Sequence, residues 1–428
     1  MVKLLIIADD FTGALDTGVQ FSAHGAVTSV ITDPAFDFTK VDSSIQVLVM
    51  DAETRHLEPE QAYSVVRKAV EHALAAGVCC IYKKTDSALR GNIGAELTAV
   101  LDAAGTDRLP FIPAFPKMNR ITQNGVHLID GVPVAESVFG RDPFEPVRHS
   151  RISDILHQQC SLPVIQRHPG DPDNDSPGIQ VFDAASDDDL LRIGWRLGVS
   201  GVRLCAGCAG FAAVLANLLA LSGPPPQVPA LEKILFIACG SVNPVTRRQL
   251  DYAEQAGFPR FRLLPEEKLL PEWLESRDCA VKVKYWYKTA TQTGVCILDT
   301  NDPPGGPDAK AVAAERGLDL QQVRIRISHT LGQLMRRLLD NGLEATLMCT
   351  GGDTLLALMR AVNVTELTPV CELDTGVVLT HFTYQRKNHY IISKSGGFGE
   401  ADLLCRLAKL TGAGTMQKED ISCLRNTI

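Results

Sequence analysis

An α/β fold in two domains, each a mostly parallel sheet flanked by helices, is what this sequence predicts. Short apolar runs alternate with helical periodicity along most of the chain. Three such runs in the second half end in small-residue loops that lead into helices. Lys233–Ala238 runs into Cys-Gly-Ser-Val-Asn-Pro, Ala345–Cys349 into Thr-Gly-Gly-Asp-Thr, and Tyr390–Lys394 into Ser-Gly-Gly-Phe-Gly-Glu. The stretch Ser222-Gly-Pro-Pro-Pro-Gln-Val-Pro229 interrupts the alternation, because consecutive prolines favour a stiff segment that joins neither sheet nor helix. At 428 residues the chain exceeds what one hydrophobic core usually serves. The expected division is therefore a first domain at 1–222, a linker at 223–230 and a second domain at 231–428.

In the first domain Leu4–Ala8 reads as a buried strand, followed by a helix from about Thr12 to His24 that Gly25 stops. Val47–Met50 is a second short strand, with a helix through Ala62–Ala76 behind it. Cys79–Lys84 is a third strand. The helix after it carries Ile93, Leu97, Val100, Leu101 and Ala104, one apolar stripe to lay against a sheet. Strands alternating with helices imply parallel pairing covered on both faces. The second domain repeats the pattern, and its helix near Leu331–Leu339 presents Leu331, Leu334, Met335, Leu338 and Leu339 to the core. Residues 168–177 and 301–307, rich in proline, glycine and aspartate, read as surface loops.

Hydrophobic residues at 45% and charged residues at 21% describe an ordinary globular protein, and a net charge of −8 argues against nucleic acid or an anionic membrane as partner. The apolar start Met1–Ala8 is too short for a leader, and no window approaches the roughly 20 apolar residues that span a bilayer. The 12 cysteines lie mostly in apolar runs; Cys205-Ala-Gly-Cys208 has no second pair beside it and reads as a reduced packing pair. A cytoplasmic location is expected.

In open α/β sheets ligands sit beyond the carboxyl ends of the strands. Asp9-Asp10-Phe-Thr-Gly13 follows the first strand, and two adjacent carboxylates suit gripping hydroxyl groups or a divalent cation. Helix capping would explain one of them, Asp10, but not both. The loop Lys83-Lys84-Thr85-Asp86-Ser87-Ala-Leu-Arg90 gathers three cations and two hydroxyls before a helix, an expected trap for an anion. Asp51-Ala-Glu-Thr-Arg55 belongs to the same sheet edge, and Asn119 and Arg120 read more simply as surface loop. Together these loops suggest a small molecule with a carboxylate at one end and hydroxyls along its length.

In the second half, glycine lets the backbone approach a bulky anion, and a following helix aims free N–H groups at it. Three such junctions suggest a phosphate cradle and so a nucleotide. There is no G-x-x-x-x-G-K-[ST], no complete G-x-G-x-x-G and no H-E-x-x-H. Neutralisation of a triphosphate then falls to Mg²⁺ and to lysines or arginines elsewhere. Asp353 is a plain N-cap, a base toward an attacking hydroxyl, or a metal ligand.

Six segments in order resemble the four-carbon acid sugar kinase family: Ile7–Ala14, Lys84–Gly94, Pro113–Arg120 with His127–Ser137, Gly240-Ser241, Thr350–Thr354 and Ser395–Gly399. The resemblance implies that the N-terminal domain binds the sugar acid, that the C-terminal domain binds ATP, and that they meet at an active site in the cleft between them. It implies contacts to the acid from Asp9, Arg55, Lys83, Lys84, Thr85 and Asp86, and the loop chemistry above adds Asp10, Ser87 and Arg90 to that expected set. It implies a nucleotide site at Ser241, Gly351, Gly352, Asp353, Thr354 and Gly397; the glycine loop adds Gly396, Asp353 is the catalytic candidate read from its position, and the metal ligands are unassigned. The Lys-Thr-Asp-Ser-Ala-Leu-Arg loop is the form of members acting on D-threonate or D-erythronate; members acting on 3-oxo acids typically differ there. The expected partners are the sugar acid and ATP with Mg²⁺, and a homo-oligomer is compatible with the sequence. A non-catalytic sugar-acid sensor with a nucleotide effector is the reading from another class.

Overall fold

A computed structural model of the protein describes residues 2–413 apart from 143, 173, 174, 225, 304 and 307. The chain packs into two compact units, Met1–Pro226 and Gln227–Ile428. The end of the expected second domain, 414–428, lies outside the described residues.

Unit one runs β1 (Leu4–Ala8), α1 (Phe11–Ala23), β2 (Thr28–Ile31), β3 (Val47–Asp51), α2 (Pro59–Ala75), β4 (Ile81–Lys84), α3 (Ile93–Ala104) and β5 (Arg108–Ile112). A small antiparallel sheet of β6 (Arg120–Gln123), β7 (Val126–Ile129) and β8 (Val132–Pro133) follows. Then come α4 (Ile152–His157), β9 (Val164–Arg167), β10 (Gly178–Phe182), α5 (Asp187–Gly201), β11 (Leu204–Gly207) and α6 (Ala209–Leu218). The main sheet is parallel throughout, in the order β2-β3-β1-β4-β11-β5-β10-β9. Its inner strands β1, β3 and β4 are buried along their whole length; β1 and most of β3 read as apolar runs for that reason, whereas β4 ends in the buried pair Lys83-Lys84. Thr28–Ile31 was not expected as a strand, because Thr-Ser-Val-Ile is short and half polar; both polar residues are nevertheless buried. Helix α2 starts three residues ahead of the expected Ala62, since Pro59 suits the first helical position.

Unit two runs β12 (Leu235–Cys239), α7 (Pro244–Gln255), β13 (Arg260–Arg262), α8 (Pro265–Leu269), α9 (Arg277–Thr293), β14 (Val295–Asp299), α10 (Ala309–Glu315) and α11 (Leu320–Asp340). It continues with β15 (Thr346–Thr350), α12 (Gly352–Ala361), β16 (Glu366–Asp374), β17 (Val377–Tyr384), β18 (Lys387–Lys394) and α13 (Leu403–Leu410). Strands β13-β14-β12-β15-β18 are parallel, as expected. Beyond them the pattern departs from a repeat of unit one, for β18-β17-β16 is an antiparallel meander. Its tight turn, Gln385-Arg386, has φ of 49° and 65°, the left-handed pair that a two-residue hairpin needs. Asn or Gly usually marks such a turn, so Gln-Arg gave no warning of it. The core stripe of α11 is as expected, with Leu331, Leu334, Met335, Leu338 and Leu339 buried.

Candidate active site

In unit one β1 lies between β3 and β4, so the loops after these three strands share one sheet edge. Arg55 is the hub there. Its Nε donates to Asp9 Oδ2 at 2.8 Å and its Nη2 to Asp10 Oδ1 at 2.6 Å, with Asp86 Oδ1 at 3.5 Å from Nη2. Lys84 Nζ lies 3.4 Å from both Asp9 Oδ1 and Asp10 Oδ1. Arg90 grips Asp86 in a two-pronged pair, Nε to Oδ2 at 2.9 Å and Nη2 to Oδ1 at 3.0 Å, and reaches Asp142 Oδ2 at 3.3 Å. Asp10 also caps α1 by accepting from Gly13 N at 3.1 Å, so capping and ligand-facing readings of that residue are compatible.

The expected anion trap therefore comes with its own anions. Arg55, Lys84 and Arg90 each have carboxylate partners, because cations this deeply buried must be paired. Burial alone would raise the Asp9 carboxyl; the cations of Arg55, Lys84 and Lys83 override it and hold the group far below the usual range. Asp86 is likewise held down by Arg90 and Arg55 against its burial. Within this cluster Asp10 and Arg90 keep 22% and 23% of their side chains exposed.

Lys83 stands apart from the group. Successive residues of a strand point to opposite faces, and its side chain turns away from Lys84 toward α3, where Nζ meets Glu96 Oε2 at 2.9 Å with both groups sealed from solvent. Thr85 is buried. Ser87 is tethered twice, its hydroxyl accepting from Arg120 and its carbonyl lying 2.9 Å from His127 Nε2. Burial lowers His127 to about 4, so at neutral pH it is a neutral donor that fixes the loop. Arg120, expected on the surface, is instead a half-buried brace at the start of β6 whose guanidinium sits 5.2 Å from the centre of the Phe139 ring.

Asp51, at the end of β3, is fully buried, and its Oδ2 has no hydrogen-bond partner. Burial, then Glu53 and Asp10, push its carboxyl well above the ordinary value. A carboxyl raised in the folded state contributes stability below its unfolded value, and that contribution is lost as pH rises toward the folded value. Asp51→Asn should consequently gain on the wild type above about pH 4, by up to about 1.4 kcal/mol per pH unit until the folded value is reached. Urea unfolding of both proteins between pH 4 and 8 checks this; parallel curves would mean that Asp51 does not carry the proton.

In unit two β12, β15 and β18 are neighbours, which brings the three glycine loops together. Gly240 N donates to Thr350 O at 3.3 Å and Gly351 N to Lys394 O at 3.0 Å, stitching the loops to one another. The approach is close enough to demand glycine: a β-carbon at Gly396 would lie 2.7 Å from Ser241 Oγ, and Gly351 has φ of +94°. Helix α12 begins at Gly352 with no side-chain cap, so its first amides remain available to an anion. Of the three readings of Asp353 the N-cap is thereby removed; the residue sits in the first turn, part exposed, 3.6 Å from Arg324 Nε. Thr354 is buried, Gly397 is exposed, and the Ser241 carbonyl accepts from Asn301 Nδ2 at 3.1 Å. Among the described residues no three His, Cys, Asp or Glu side chains converge as a metal cage. Cys205 and Cys208 are buried free thiols, burial lifting Cys208 to about 11.

The sequence drew no attention to Glu96, Asp142, Thr246 or Gln249. Each sits on or near a helix where an isolated polar residue looks like a solvated one, and only packing reveals its partner.

A family model described as a sugar-binding N-terminal domain matches residues 4–215, and one described as a nucleotide-binding C-terminal domain matches residues 236–404. The chain is 30% identical to the D-threonate kinase of Bordetella bronchiseptica, over 94% of its own length and 96% of the relative's. It is 28% identical to the D-erythronate kinase of Heliobacterium modesticaldum, over 95% and 96%. A solved structure from Salmonella typhimurium LT2 has the same fold, with a TM-score of 0.78 at 20% identity, covering 95% of this chain and 99% of that one. Among the described residues no helix is long and apolar enough to cross a membrane. With both halves matched in order and near-complete alignment to those relatives, the chain belongs to the four-carbon acid sugar kinase family.

Proposed function

We propose that this protein transfers the γ-phosphoryl group of ATP to the terminal (4-) hydroxyl of a four-carbon sugar acid, most closely D-threonate, giving D-threonate 4-phosphate and ADP. The observation that carries the reading is the cluster of Asp9, Asp10, Arg55, Lys84 and Arg90 at one sheet edge of the unit that matches a sugar-binding domain. Carboxylates accept hydrogen bonds from hydroxyls, and an already paired guanidinium can still share its outer N–H groups with a substrate carboxylate. In this scheme Asp9 and Asp10 take hydroxyls, while Arg90 and the Thr85–Ser87 turn hold the carboxylate end.

Phosphoryl transfer asks for in-line placement and charge stabilisation. The 4-hydroxyl oxygen forms a bond to the γ-phosphorus, the bond to the β-phosphate oxygen breaks, and ADP leaves with that electron pair. Asp353 is the carboxylate we assign to the departing hydroxyl proton, with Ser241, Gly351 to Thr354, Gly396 and Gly397 against the nucleotide. Mg²⁺ would accompany the nucleotide and would supply neutralisation of the phosphate charge.

The test is ADP release over a panel of four-carbon aldonic acids, with the product's position read by phosphorus NMR. Acid-dependent turnover, greatest with D-threonate and with phosphorus on the 4-oxygen, is expected. D-Erythronate differs at one hydroxyl, and a preference for it would change the substrate but not the chemistry. Nucleotide binding with no acid-dependent turnover would favour the sensor.

A further inference from the structure

Four lysines are buried among the described residues, and three have a carboxylate: Lys83 has Glu96, Lys84 has Asp9 and Asp10, and Lys268 has Asp302. Lys394, at the end of β18 and 1% exposed, has none. Its ammonium donates to three neutral oxygens instead: Thr246 Oγ1 at 3.1 Å, Ser395 O at 3.0 Å and Gly396 O at 3.2 Å. Among the described residues the neighbouring elements supply no free counter-charge; on β16, beyond Val377, Asp374 is engaged by Arg406 at 2.8 Å. Beside it on β15 and β17 lie Thr350 and Val377, and α7 contributes the Thr246 hydroxyl. From β12 comes the Cys239 thiol, which burial pushes up to about 12 and so keeps neutral. Asp299, beyond Cys239, is engaged by Arg260 at 2.7 Å. Burial without a counter-ion lowers Lys394 to about 8. A buried cation left uncompensated is costly, and an arriving anion would relieve that cost.

The loop after it is built with equal care. Thr246 Oγ1 donates to Gly396 O at 2.7 Å. The single side-chain amide of Gln249 donates to Phe398 O, Gly399 O and Glu400 O at 2.9, 2.8 and 2.9 Å. Five carbonyls of this loop are thus drawn inward. In a trans peptide the C=O and the following N–H point opposite ways. The amides of Gly396, Gly397, Gly399 and Glu400 are therefore turned away from these anchors, and none has an acceptor among the described residues. Successive outward N–H groups form an anion-binding concavity.

We propose that Lys394 and Gln249 are positioning residues for a polyphosphate: they aim the amides of Gly396, Gly397, Gly399 and Glu400 outward as its cradle, and the arriving phosphates furnish the counter-charge Lys394 lacks, so that nucleotide binding draws a proton into the protein. This rests on unit two being the nucleotide site. Neither side chain touches the phosphates; each acts through the loop, and Lys394 also through its field.

Calorimetry of ATP, tripolyphosphate and adenosine in buffers of differing ionisation enthalpy, at pH 7.5 to 9, tests it. The wild type should take up a fraction of a proton with ATP and with tripolyphosphate, most near pH 8 to 8.5, and none with adenosine. Lys394→Arg, which stays charged, should keep the affinity and lose the uptake; Lys394→Met should lose both. Gln249→Met should weaken ATP and tripolyphosphate about tenfold while leaving adenosine binding and the KM for the acid unchanged. If the wild type binds ATP without proton uptake and Gln249→Met binds tripolyphosphate normally, the proposal fails and the nucleotide reading stands. If the wild type binds neither ATP nor tripolyphosphate, both fail.

Discussion

Arg55→Met should lower kcat/KM for the sugar acid by about 100-fold or more and leave nucleotide affinity nearly unchanged, because it scatters the groups that orient the acid. It should also destabilise the protein by about 3–5 kcal/mol, the range for removing one partner of a buried ionic cluster. The cause lies in what remains. With the guanidinium gone, Asp9, Asp10 and Asp86 face one another with fewer cations than carboxylates, and Asp9 and Asp86 are buried. The pH dependence follows from the same groups. Asp9 and Asp86 are held below their unfolded values, so the stability they contribute is present above about pH 4 and lost as pH falls toward the folded values. The gap between wild type and variant should therefore be widest near neutrality and shrink below about pH 4. Urea unfolding from pH 3 to 8, with KM and kcat for both substrates at pH 7.5, measures each part. A variant with normal acid kinetics would remove Arg55 from the site.

Lys83→Met and Glu96→Gln should each cost about 3–5 kcal/mol, for either change leaves an uncompensated polar or charged group in a sealed interior. Replacing both with apolar side chains of similar volume, Lys83→Met with Glu96→Leu, should return most of that loss. The Glu96 carboxylate also accepts from the Thr54 hydroxyl, so recovery should be incomplete unless Thr54→Val is added. The functional readout is the KM for the acid in the double variant. Little change is expected, since the Lys83 ammonium makes its ion pair with Glu96 and reaches Asp9 only through its field. A large rise in KM with stability restored would show that the ammonium reaches the substrate after all, and Lys83 would rejoin the binding set.

How much of this was legible depends on the range of the interaction. Asp9, Asp10, Arg55, Lys84 and Arg90 could be placed at one sheet edge from the sequence because each lies at or beyond the end of a strand in a parallel sheet, where position along the chain already states position at that edge. That Arg55 would bind three carboxylates at once was not legible, since the partners lie 45 residues and more apart along the chain or on another loop. Lys83 and Lys84 look alike in sequence, and a period of two sends them to different environments. Gln249 was invisible for a related reason: a glutamine in a helix is ordinary until its amide is seen to hold three carbonyls of a loop 149 to 151 residues away.

The sequence by itself determined the α/β class, the parallel order of local units and the glycine loops, because strand and helix periodicity, turns and backbone freedom are properties of neighbouring residues. Tertiary structure alone decided which charges are paired, which lysine is left without a counter-ion and which way a loop's amides face. Those outcomes depend on desolvation and on partners distant along the chain, and neither is written in any short stretch of residues.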